Sequence, residues 1–348
     1  MNLNKDYIYP LDTFIAEALY NKKSGYYMKK NPFGKNGDFI TAPNISILFS
    51  EMLAIWCVSY WKYLDSPKKF NLIELGSGNG EMAGQLINTF KKFKIFNTSY
   101  KYLILEKSQY LKKIQKKKLK NQNTKWINKI SEIGSGPNIF LANEFFDALP
   151  VKQFIKFKKK WFEKNVKITK NNKIIFKYIE TNIEKLEKKI GINIKFNQNI
   201  IEYSPLTREY VKSISKIINF YGGGLLFFDY GYLDKKMRNT IQSIFKHKRN
   251  NILENIGDSD ITYEINFRLI KKIAKKFNLF TKGLTTQGSF LTKLGIVQRA
   301  EKLSKDLSFT KKANIYYRLR RLIDKNFMGE QFKVMFLTKK NIKFRLGF

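Results

Sequence analysis

Three glycines at alternating positions, Gly76, Gly78 and Gly80, follow the apolar run 70–75 and precede a helical pattern. Glycine has no Cβ, so the backbone at these positions can take positive φ angles and come close to a bound molecule. The stretch is therefore predicted to be a strand-to-helix turn that binds a phosphate or a cofactor. The simpler alternative is a glycine-rich turn without a ligand, because short glycine patterns recur by chance.

The residues around the glycines narrow the choice of ligand. A nucleoside triphosphate loop requires Lys and then Ser or Thr after its last glycine, whereas Gly80 is followed by Glu81 and Met82. A dinucleotide loop requires a wider spacing of its glycines. Glu74, two positions before Gly76, would repel an anion and attract a cationic amino group. The order acid-x-Gly-x-Gly-x-Gly after a strand resembles motif I of S-adenosylmethionine-dependent methyltransferases of the Rossmann-like class.

A second acid, Glu106, ends the next apolar run, residues 100–105. Its two carboxylate oxygens can accept hydrogen bonds from both hydroxyls of a ribose, which is the role of an acid at the end of the second strand of a βαβ unit. The alternative is that Glu106 caps the helix predicted to begin near Ser108. Asn128, at the end of a short third strand, is a weaker candidate for contacts near an adenine.

A third polar group follows the apolar run 138–142 and contains Asn143, Glu144 and Asp147. Ligands of open parallel sheets lie at the carboxyl ends of the strands, so these side chains are expected at the reaction site. Asp38, on an aromatic loop over residues 31–43, is a candidate third carboxylate. The alternatives are that Asp147 caps the following helix and that Asp38 binds amides of its own loop.

The periodicity divides the chain into an N-terminal helical and loop segment, residues 1–66, and an α/β domain, residues 67–348. Within the domain, residues 151–203 alternate between apolar and polar positions, which predicts an inserted antiparallel meander that binds substrate or forms a homodimer. Residues 235–257 are predicted to be a long loop. Residues 260–277 are predicted to be a helix that begins at the acidic cap Asp260.

The composition excludes several classes of site. A single cysteine, Cys57, rules out an internal disulfide and suits a reducing compartment, while a single histidine, His247, disfavours a histidine zinc site or a Ser-His-Asp triad. We expect no metal. No stretch is long and apolar enough to insert into a membrane, and no targeting segment is recognised, so a cytoplasmic protein is expected. The formal charge of +38 is spread along the chain and is only weak evidence for a nucleic acid partner.

Several segments in the same order along the chain resemble the MidA family, which groups mitochondrial complex I assembly-factor methyltransferases with bacterial relatives. They are GYY (25–27), GDFITAP (37–43), the helix through Trp56, ELGSGNG (74–80), ANEFFDALP (142–150), GG (223–224), DYG (229–231), DIT (260–262), QGSFL (287–291) and MGEQFK (328–333). This chain departs from the family pattern in two of these segments. Ser77 and Asn79 stand where the family usually has Pro and Arg, and Tyr232 stands where it often has His.

The resemblance implies a Rossmann-like methyltransferase with a mostly parallel seven-stranded sheet, helices on both faces and a helical N-terminal addition. It implies S-adenosylmethionine as the cofactor and a protein substrate methylated on arginine, such as a respiratory complex I subunit. The residues expected to bind the cofactor are Glu74, Gly76, Ser77, Gly78, Gly80, Glu106, Asn128 and Asn143. The residues expected to act on the substrate are Glu144, Asp147 and Asp38.

Two other functions remain open at this stage. The first is an amino-methyltransferase of nucleic acids. Such enzymes carry Asn or Asp, two prolines and an aromatic residue where this chain has Asn143 to Phe146. The basic charge of the chain would then bind the phosphates of the nucleic acid. Glu144 would bring a negative charge to that nucleobase site, and both prolines are absent. The second possibility is an assembly factor that keeps the fold but does not catalyse a reaction.

Overall fold

The computed structural model describes residues 6–34, 37–120 and 122–348. Its strands are β1 (Tyr7–Pro10), β2 (Phe70–Leu75), β3 (Tyr100–Leu105), β4 (Thr124–Ile127), β5 (Asn138–Asn143), β6 (Lys152–Phe157), β7 (Lys160–Ile168), β8 (Ile174–Thr181), β9 (Ile200–Tyr203), β10 (Gly223–Tyr232), β11 (Gln242–Phe245), β12 (Lys248–Asn250), β13 (Asp260–Thr262), β14 (Ile265–Asn266), β15 (Phe280–Thr286) and β16 (Phe332–Thr338). Its helices are α1 (Leu11–Tyr20), α2 (Tyr26–Lys29), α3 (Ala42–Ile45), α4 (Ile47–Tyr63), α5 (Glu81–Phe90), α6 (Lys94–Ser99), α7 (Gln109–Lys118), α8 (Ile183–Ile190), α9 (Pro205–Tyr221), α10 (Phe267–Lys276), α11 (Gln287–Lys293), α12 (Ile296–Ser304), α13 (Phe309–Ile323) and α14 (Met328–Gln331).

The main sheet has seven strands in the order β15-β16-β10-β5-β2-β3-β4, and the short β14 also pairs with β10. Only β16 runs against its neighbours. The strand order reverses between β2 and β5, and at such a point the turns after the two strands separate and leave a crevice for a ligand. This architecture confirms the predicted fold class.

Both faces of the sheet are covered. Along β2, Ile73 and Leu75 belong to one hydrophobic core and Phe70 and Leu72 to the other, because successive side chains of a strand point to opposite faces. The first core includes apolar residues of α1, α9 and α10, and the second includes residues of α4, α5 and α11. Every residue of β2 is buried, so the strand that carries the glycine loop is held rigidly from both sides.

The inserted segment forms an antiparallel sheet of β6, β7, β8 and β9, to which the N-terminal strand β1 adds by pairing with β7. The N-terminal segment and the insertion are therefore joined by main-chain hydrogen bonds. No helix among the described residues is both long and apolar enough to cross a membrane.

Two local predictions are wrong. Residues 235–257 contain β11 and β12, which form a hairpin, and Asp260 lies in β13, which pairs with β11, instead of capping a helix. The following helix, α10, begins at Phe267, and its cap is Asn266, whose side chain accepts a hydrogen bond from the Leu269 amide. The apolar spacing of α10 dominated the sequence pattern and hid the two short strands before it.

Candidate active site

A cavity of about 240 Å³ lies at the carboxyl ends of the central strands. One part of its wall comes from the glycine loop and the end of β3, including Gly76, Gly78 and Glu106. Another comes from the segment after β5, with Glu144 and Asp147. The rest of the wall comes from the N-terminal segment, from α7 and α9, from β11 and β13, from the end of β10 and from the start of β16. The fold thus brings together polar residues that lie far apart in the sequence.

The glycine loop has the backbone geometry that its sequence predicts. Gly76, Gly78 and Gly80 have φ angles of +66°, +52° and +75°, in the left-handed region where side chains are disfavoured. A Cβ atom at Gly76 would lie 2.9 Å from the Phe145 ring, and one at Gly78 would lie 3.3 Å from the Phe33 ring. Both the conformation and the space at Gly76 therefore require glycine, while Gly80 begins α5 without lining the cavity.

A smaller cavity of about 50 Å³ adjoins the first on the other side of the glycine loop, and its lining includes Glu74, Ser77 and Asn143. Two buried polar atoms in it, Ser77 Oγ and Asn143 Oδ1, have no hydrogen-bond partner. A buried polar atom without a partner is costly, so both atoms are suited to a polar ligand. Glu74 is 1% exposed and accepts a hydrogen bond from the Tyr102 hydroxyl at 2.7 Å, and burial raises its pKa to about 7. A bound ammonium group would favour the ionised form of this carboxyl group.

Glu106 lines the large cavity, and the buried side-chain amide of Gln115 helps to orient its carboxyl group. One oxygen accepts a hydrogen bond from the Ser108 amide at 2.9 Å, and the other accepts one from Gln115 Nε2 at 2.9 Å. Burial raises the pKa of Glu106. The side chain that caps α7 is Ser108, which accepts a hydrogen bond from the Leu111 amide at 3.1 Å. Glu106 is therefore oriented towards the cavity while also supporting the start of that helix.

Glu144 lines both cavities. Its φ angle is +52°, an uncommon value for a residue with a side chain, and its amide donates to the Phe228 carbonyl at 2.9 Å. Its Oε1 accepts hydrogen bonds from Asn143 Nδ2 at 3.1 Å and from the Ala42 amide at 3.4 Å. Burial raises the pKa of Glu144 to about 7. The strained turn after β5 places this carboxyl group between the glycine loop and the rest of the large cavity.

Asp147 and Asp260 line the same cavity as Glu144, and Asp229, which is outside the lining, is close enough to Asp147 for their charges to interact. Asp229 is fully buried and accepts hydrogen bonds from the amides of Phe146 and Tyr230. Burial raises the pKa values of Asp229 and Asp260 to about 7. Burial, together with the charge of Asp229, raises that of Asp147 well above its usual range. Acids gathered in this way favour a cationic ligand, which would stabilise their ionised forms.

Aromatic residues of the N-terminal segment face these acids. The rings of Tyr20 and Tyr27 stack with centroids 5.6 Å apart, and those of Tyr27 and Phe33 stack at 6.1 Å. All three residues line the large cavity. We call them the aromatic wall. The face of an aromatic ring attracts a cation, so the wall and the acids suit the same kind of ligand.

Besides Gly80, two of the predicted site residues, Asp38 and Asn128, line neither of these two cavities. Asp38 accepts hydrogen bonds from the Tyr26 hydroxyl at 2.6 Å and from Lys30 Nζ at 2.8 Å, so its charge is already paired. The geometry does not support a direct role for Asp38 on the substrate. Asn128 lines an adjoining open cavity of about 280 Å³, where its Oδ1 accepts a hydrogen bond from Lys112 at 2.6 Å.

Sequence reasoning missed several residues that the fold brings to the site: Tyr27, Gln115, Asp229 and Asp260. Asp229 was visible as an acid at the end of a strand, which is the same signal that identified Glu106. Gln115 lies in a lysine-rich helix, and Tyr27 in an irregular aromatic segment. Gln115 carries no local signal of its role, and the only signal for Tyr27 is its place in the GYY segment (25–27).

Comparisons with known proteins agree with this geometry. A sequence model of S-adenosyl-L-methionine-dependent methyltransferases matches residues 52–285. The mitochondrial protein arginine methyltransferase NDUFAF7 of Danio rerio is 29% identical over 343 residues, covering 92% of this chain and 81% of the relative. The NDUFAF7 homolog of Drosophila melanogaster is 30% identical over 324 residues, covering 84% of this chain and 73% of the relative.

A crystal structure of a protein from Burkholderia thailandensis bound to S-adenosyl-homocysteine has the same fold, with a TM-score of 0.83 and 21% sequence identity, covering 98% of this chain and 90% of that one. In the present chain, the left-handed glycines and the unpartnered atoms Ser77 Oγ and Asn143 Oδ1 provide a polar recess beside Glu74. Glu106 lines the adjoining large cavity, where hydrogen bonds from Ser108 and Gln115 hold both of its oxygens. These residues fit the cofactor of the matched family. The chain belongs to the MidA family of S-adenosylmethionine-dependent methyltransferases, and S-adenosylmethionine is its cofactor.

Proposed function

We propose that this methyltransferase acts on the guanidinium group of an arginine in a protein substrate. The observation that carries the proposal is the position of Glu144, Asp147 and Asp260 around one cavity that also reaches the glycine loop. The relatives from Danio rerio and Drosophila melanogaster, which are named protein arginine methyltransferases, support it. From the family resemblance we extend the proposal to a respiratory complex I subunit as the acceptor protein.

A guanidinium ion matches several acids at once. It presents five N–H donors in a plane and can bind two carboxylates along different edges, whereas an ammonium group acts as a compact point charge. Its pKa is so high that it enters the site as a cation. The buried acids Glu144, Asp147 and Asp260 would then lose protons as the cation binds, because a nearby positive charge lowers their pKa values.

The chain's own contribution to the reaction is orientation and proton transfer. When bound, S-adenosylmethionine supplies an electrophilic methyl group on a sulfonium centre. Glu144, which lines both cavities, would hold the acceptor nitrogen towards that methyl group, and such positioning is a major source of rate enhancement. A nitrogen–carbon bond forms, the sulfur–carbon bond breaks, and its electron pair stays on sulfur. The nitrogen loses one proton.

We assign the acceptance of that proton to Glu144. Its Oε1 is held by the Asn143 side chain and the Ala42 amide, which leaves Oε2 for the acceptor nitrogen. A pKa of about 7 is well matched to proton transfer near neutral pH.

The test is methyl transfer to a proteome that lacks the active protein. The purified enzyme and S-adenosylmethionine with a labelled methyl group are added, and the labelled sites are identified by mass spectrometry. The Gly78→Val variant, which is strained at φ +52°, serves as the inactive enzyme, and Gly134→Ala, which has open space around it, serves as the matched control. The expected result is label on arginine with the wild-type and control enzymes only.

Two outcomes would count against the proposal. Label on lysine or on nucleic acid would replace arginine as the acceptor, and the charge of +38 makes RNA and DNA necessary parts of the assay. A proteome without label, from an enzyme that binds S-adenosyl-homocysteine, would favour an assembly factor that keeps the fold without catalysis.

A further inference from the structure

The aromatic wall precedes the residues that the methyltransferase sequence model matches, although Tyr27 belongs to the GYY segment (25–27) that resembles the family. That match begins at residue 52, whereas Tyr20, Tyr27 and Phe33 precede it. These residues line the cavity and their rings stack in sequence, and the Tyr20 hydroxyl donates to the Ala148 carbonyl at 2.8 Å. The N-terminal segment is therefore a wall of the site.

A hydrogen bond joins the aromatic wall to Asp260, one of the acids that line the cavity. The Tyr27 hydroxyl donates to Asp260 Oδ1 at 2.8 Å, across 233 residues of sequence. Asp260 is 2% exposed, and its main chain is fixed by the pairing of β13 with β11. Tyr27 thus holds one oxygen of Asp260 in place. The Asp260 carboxyl group therefore contacts the aromatic wall and lines the same cavity as Glu144 and Asp147.

We propose that Asp260, positioned by Tyr27, is an acceptor-binding residue that recognises one edge of a planar cation lying against the aromatic wall, with Glu144 and Asp147 at another edge. The inference rests on the proposed function and specifies its substrate site. It assigns a binding role to Asp260 and a positioning role to Tyr27.

A site made of the aromatic wall and carboxyl groups at different edges would favour a guanidinium group over an ammonium group. A guanidinium plane can stack on an aromatic face while its edges donate to carboxylates, and a lysine ammonium cannot do both in the same way. The wall also restricts the orientation of the cation, so that recognition depends on shape as well as on charge.

The first experiment measures binding without turnover. Ethylguanidinium chloride and butylammonium chloride are titrated into the full-length protein saturated with S-adenosyl-homocysteine, and binding is followed by NMR chemical shifts. The wild-type enzyme is expected to prefer ethylguanidinium. Asp260→Asn keeps the shape of the side chain and is expected to raise the dissociation constant for ethylguanidinium by roughly 10- to 100-fold. Tyr27→Phe is expected to raise it by about 3- to 10-fold, since it removes one positioning hydrogen bond.

The matched control is Asp258→Asn, two positions away, where the exposed carboxylate pairs with Lys29 at 2.8 Å outside the cavity. It is expected to bind both probes as the wild-type enzyme does. The double variant Tyr27→Phe/Asp260→Asn is expected to bind ethylguanidinium no more weakly than Asp260→Asn alone, because Tyr27 acts through Asp260. The affinity for S-adenosyl-homocysteine is expected to stay unchanged in every variant.

A second measurement uses the arginine acceptor found by proteome labelling. Asp260→Asn is expected to raise KM far more than it lowers kcat. An unchanged KM and unchanged probe binding in a folded Asp260→Asn variant would overturn this inference, while arginine methylation by the wild-type enzyme would still support the proposed function. Absence of arginine methylation by the wild-type enzyme would reject the proposed function itself. Equal weakening of probe binding and S-adenosyl-homocysteine binding would reduce Asp260 to a structural role.

Discussion

Gln115 links Glu106 to the glycine loop. Its Nε2 donates to Glu106 Oε2 at 2.9 Å and to the Gly78 carbonyl at 2.8 Å, and its Oε1 accepts from Trp126 Nε1 at 2.8 Å. The residue is fully buried. A single side chain on α7 thus joins Glu106 to the turn at Gly78.

Replacing Gln115 with methionine is expected to weaken cofactor binding. The variant keeps a similar shape but loses the hydrogen bonds to Glu106 and Gly78, which frees the acid to rotate. We expect the dissociation constant for S-adenosyl-homocysteine, measured by calorimetry, to rise by roughly 10-fold. The melting temperature should also fall, because the half-buried Trp126 N–H loses its acceptor. Gln109→Met, on the exposed start of the same helix, is the control; unchanged affinity in Gln115→Met would contradict the positioning role.

Replacing Glu144 with glutamine is expected to slow the chemical step. The variant retains an oxygen for the Ala42 amide but loses both the negative charge and the proton acceptor. We expect kcat for methylation of an arginine-containing acceptor to fall at least ~100-fold, which is the usual loss when one transition-state contact is removed. Binding of S-adenosyl-homocysteine should change little. Glu301→Gln, at an exposed position on α12, should be fully active, and undiminished turnover in Glu144→Gln would remove Glu144 from the mechanism.

Replacing Gly76 with alanine is expected to reduce both stability and cofactor affinity. The added Cβ would lie 2.9 Å from the Phe145 ring at a φ of +66°, so the loop or the ring must move. Backbone strain of this kind costs about 1–3 kcal/mol of folding free energy. Chemical denaturation measures that loss, and calorimetry with S-adenosyl-homocysteine measures the affinity. Gly134→Ala, with no atom within 4 Å of the new Cβ, should behave as the wild-type enzyme.

The buried acids predict how stability depends on pH in the absence of cofactor. Burial raises the pKa values of Glu74, Glu144, Asp229 and Asp260 to about 7, so the folded protein keeps protons that the unfolded chain has released. Stability from these groups is complete below their unfolded pKa values and is lost as the pH rises through about 7. We therefore expect the melting temperature to fall between about pH 5 and about pH 8.

The variant that tests this dependence is Glu144→Gln/Asp260→Asn. It removes two of the raised carboxyl groups and should show a shallower decrease of melting temperature with pH than the wild-type enzyme, while Glu301→Gln should follow the wild-type curve. An unchanged decrease in the double variant would show that these two acids are already ionised in the folded protein over this pH range.

The main features of the fold were predictable from local sequence. The strand 70–75, the left-handed glycines after it and the acid Glu106 at the end of β3 follow from short-range periodicity and from the absence of a Cβ at glycine. The short strands β11 to β14 were not predictable in the same way, because a strand of two to four residues has too little periodicity to be distinguished from a loop.

The positions of the glycine loop and of the strand-end carboxylates along the chain follow from local sequence, since both depend on residues that are close neighbours. Which carboxylates line one cavity depends on long-range packing. It took Asp38 out of the cavity by pairing it with Lys30, and it brought in Asp260 through the hydroxyl of Tyr27. The physical reason is that a hydrogen bond across 233 residues depends on how β13 and the N-terminal segment pack on the sheet, and the residues next to either partner do not specify that packing.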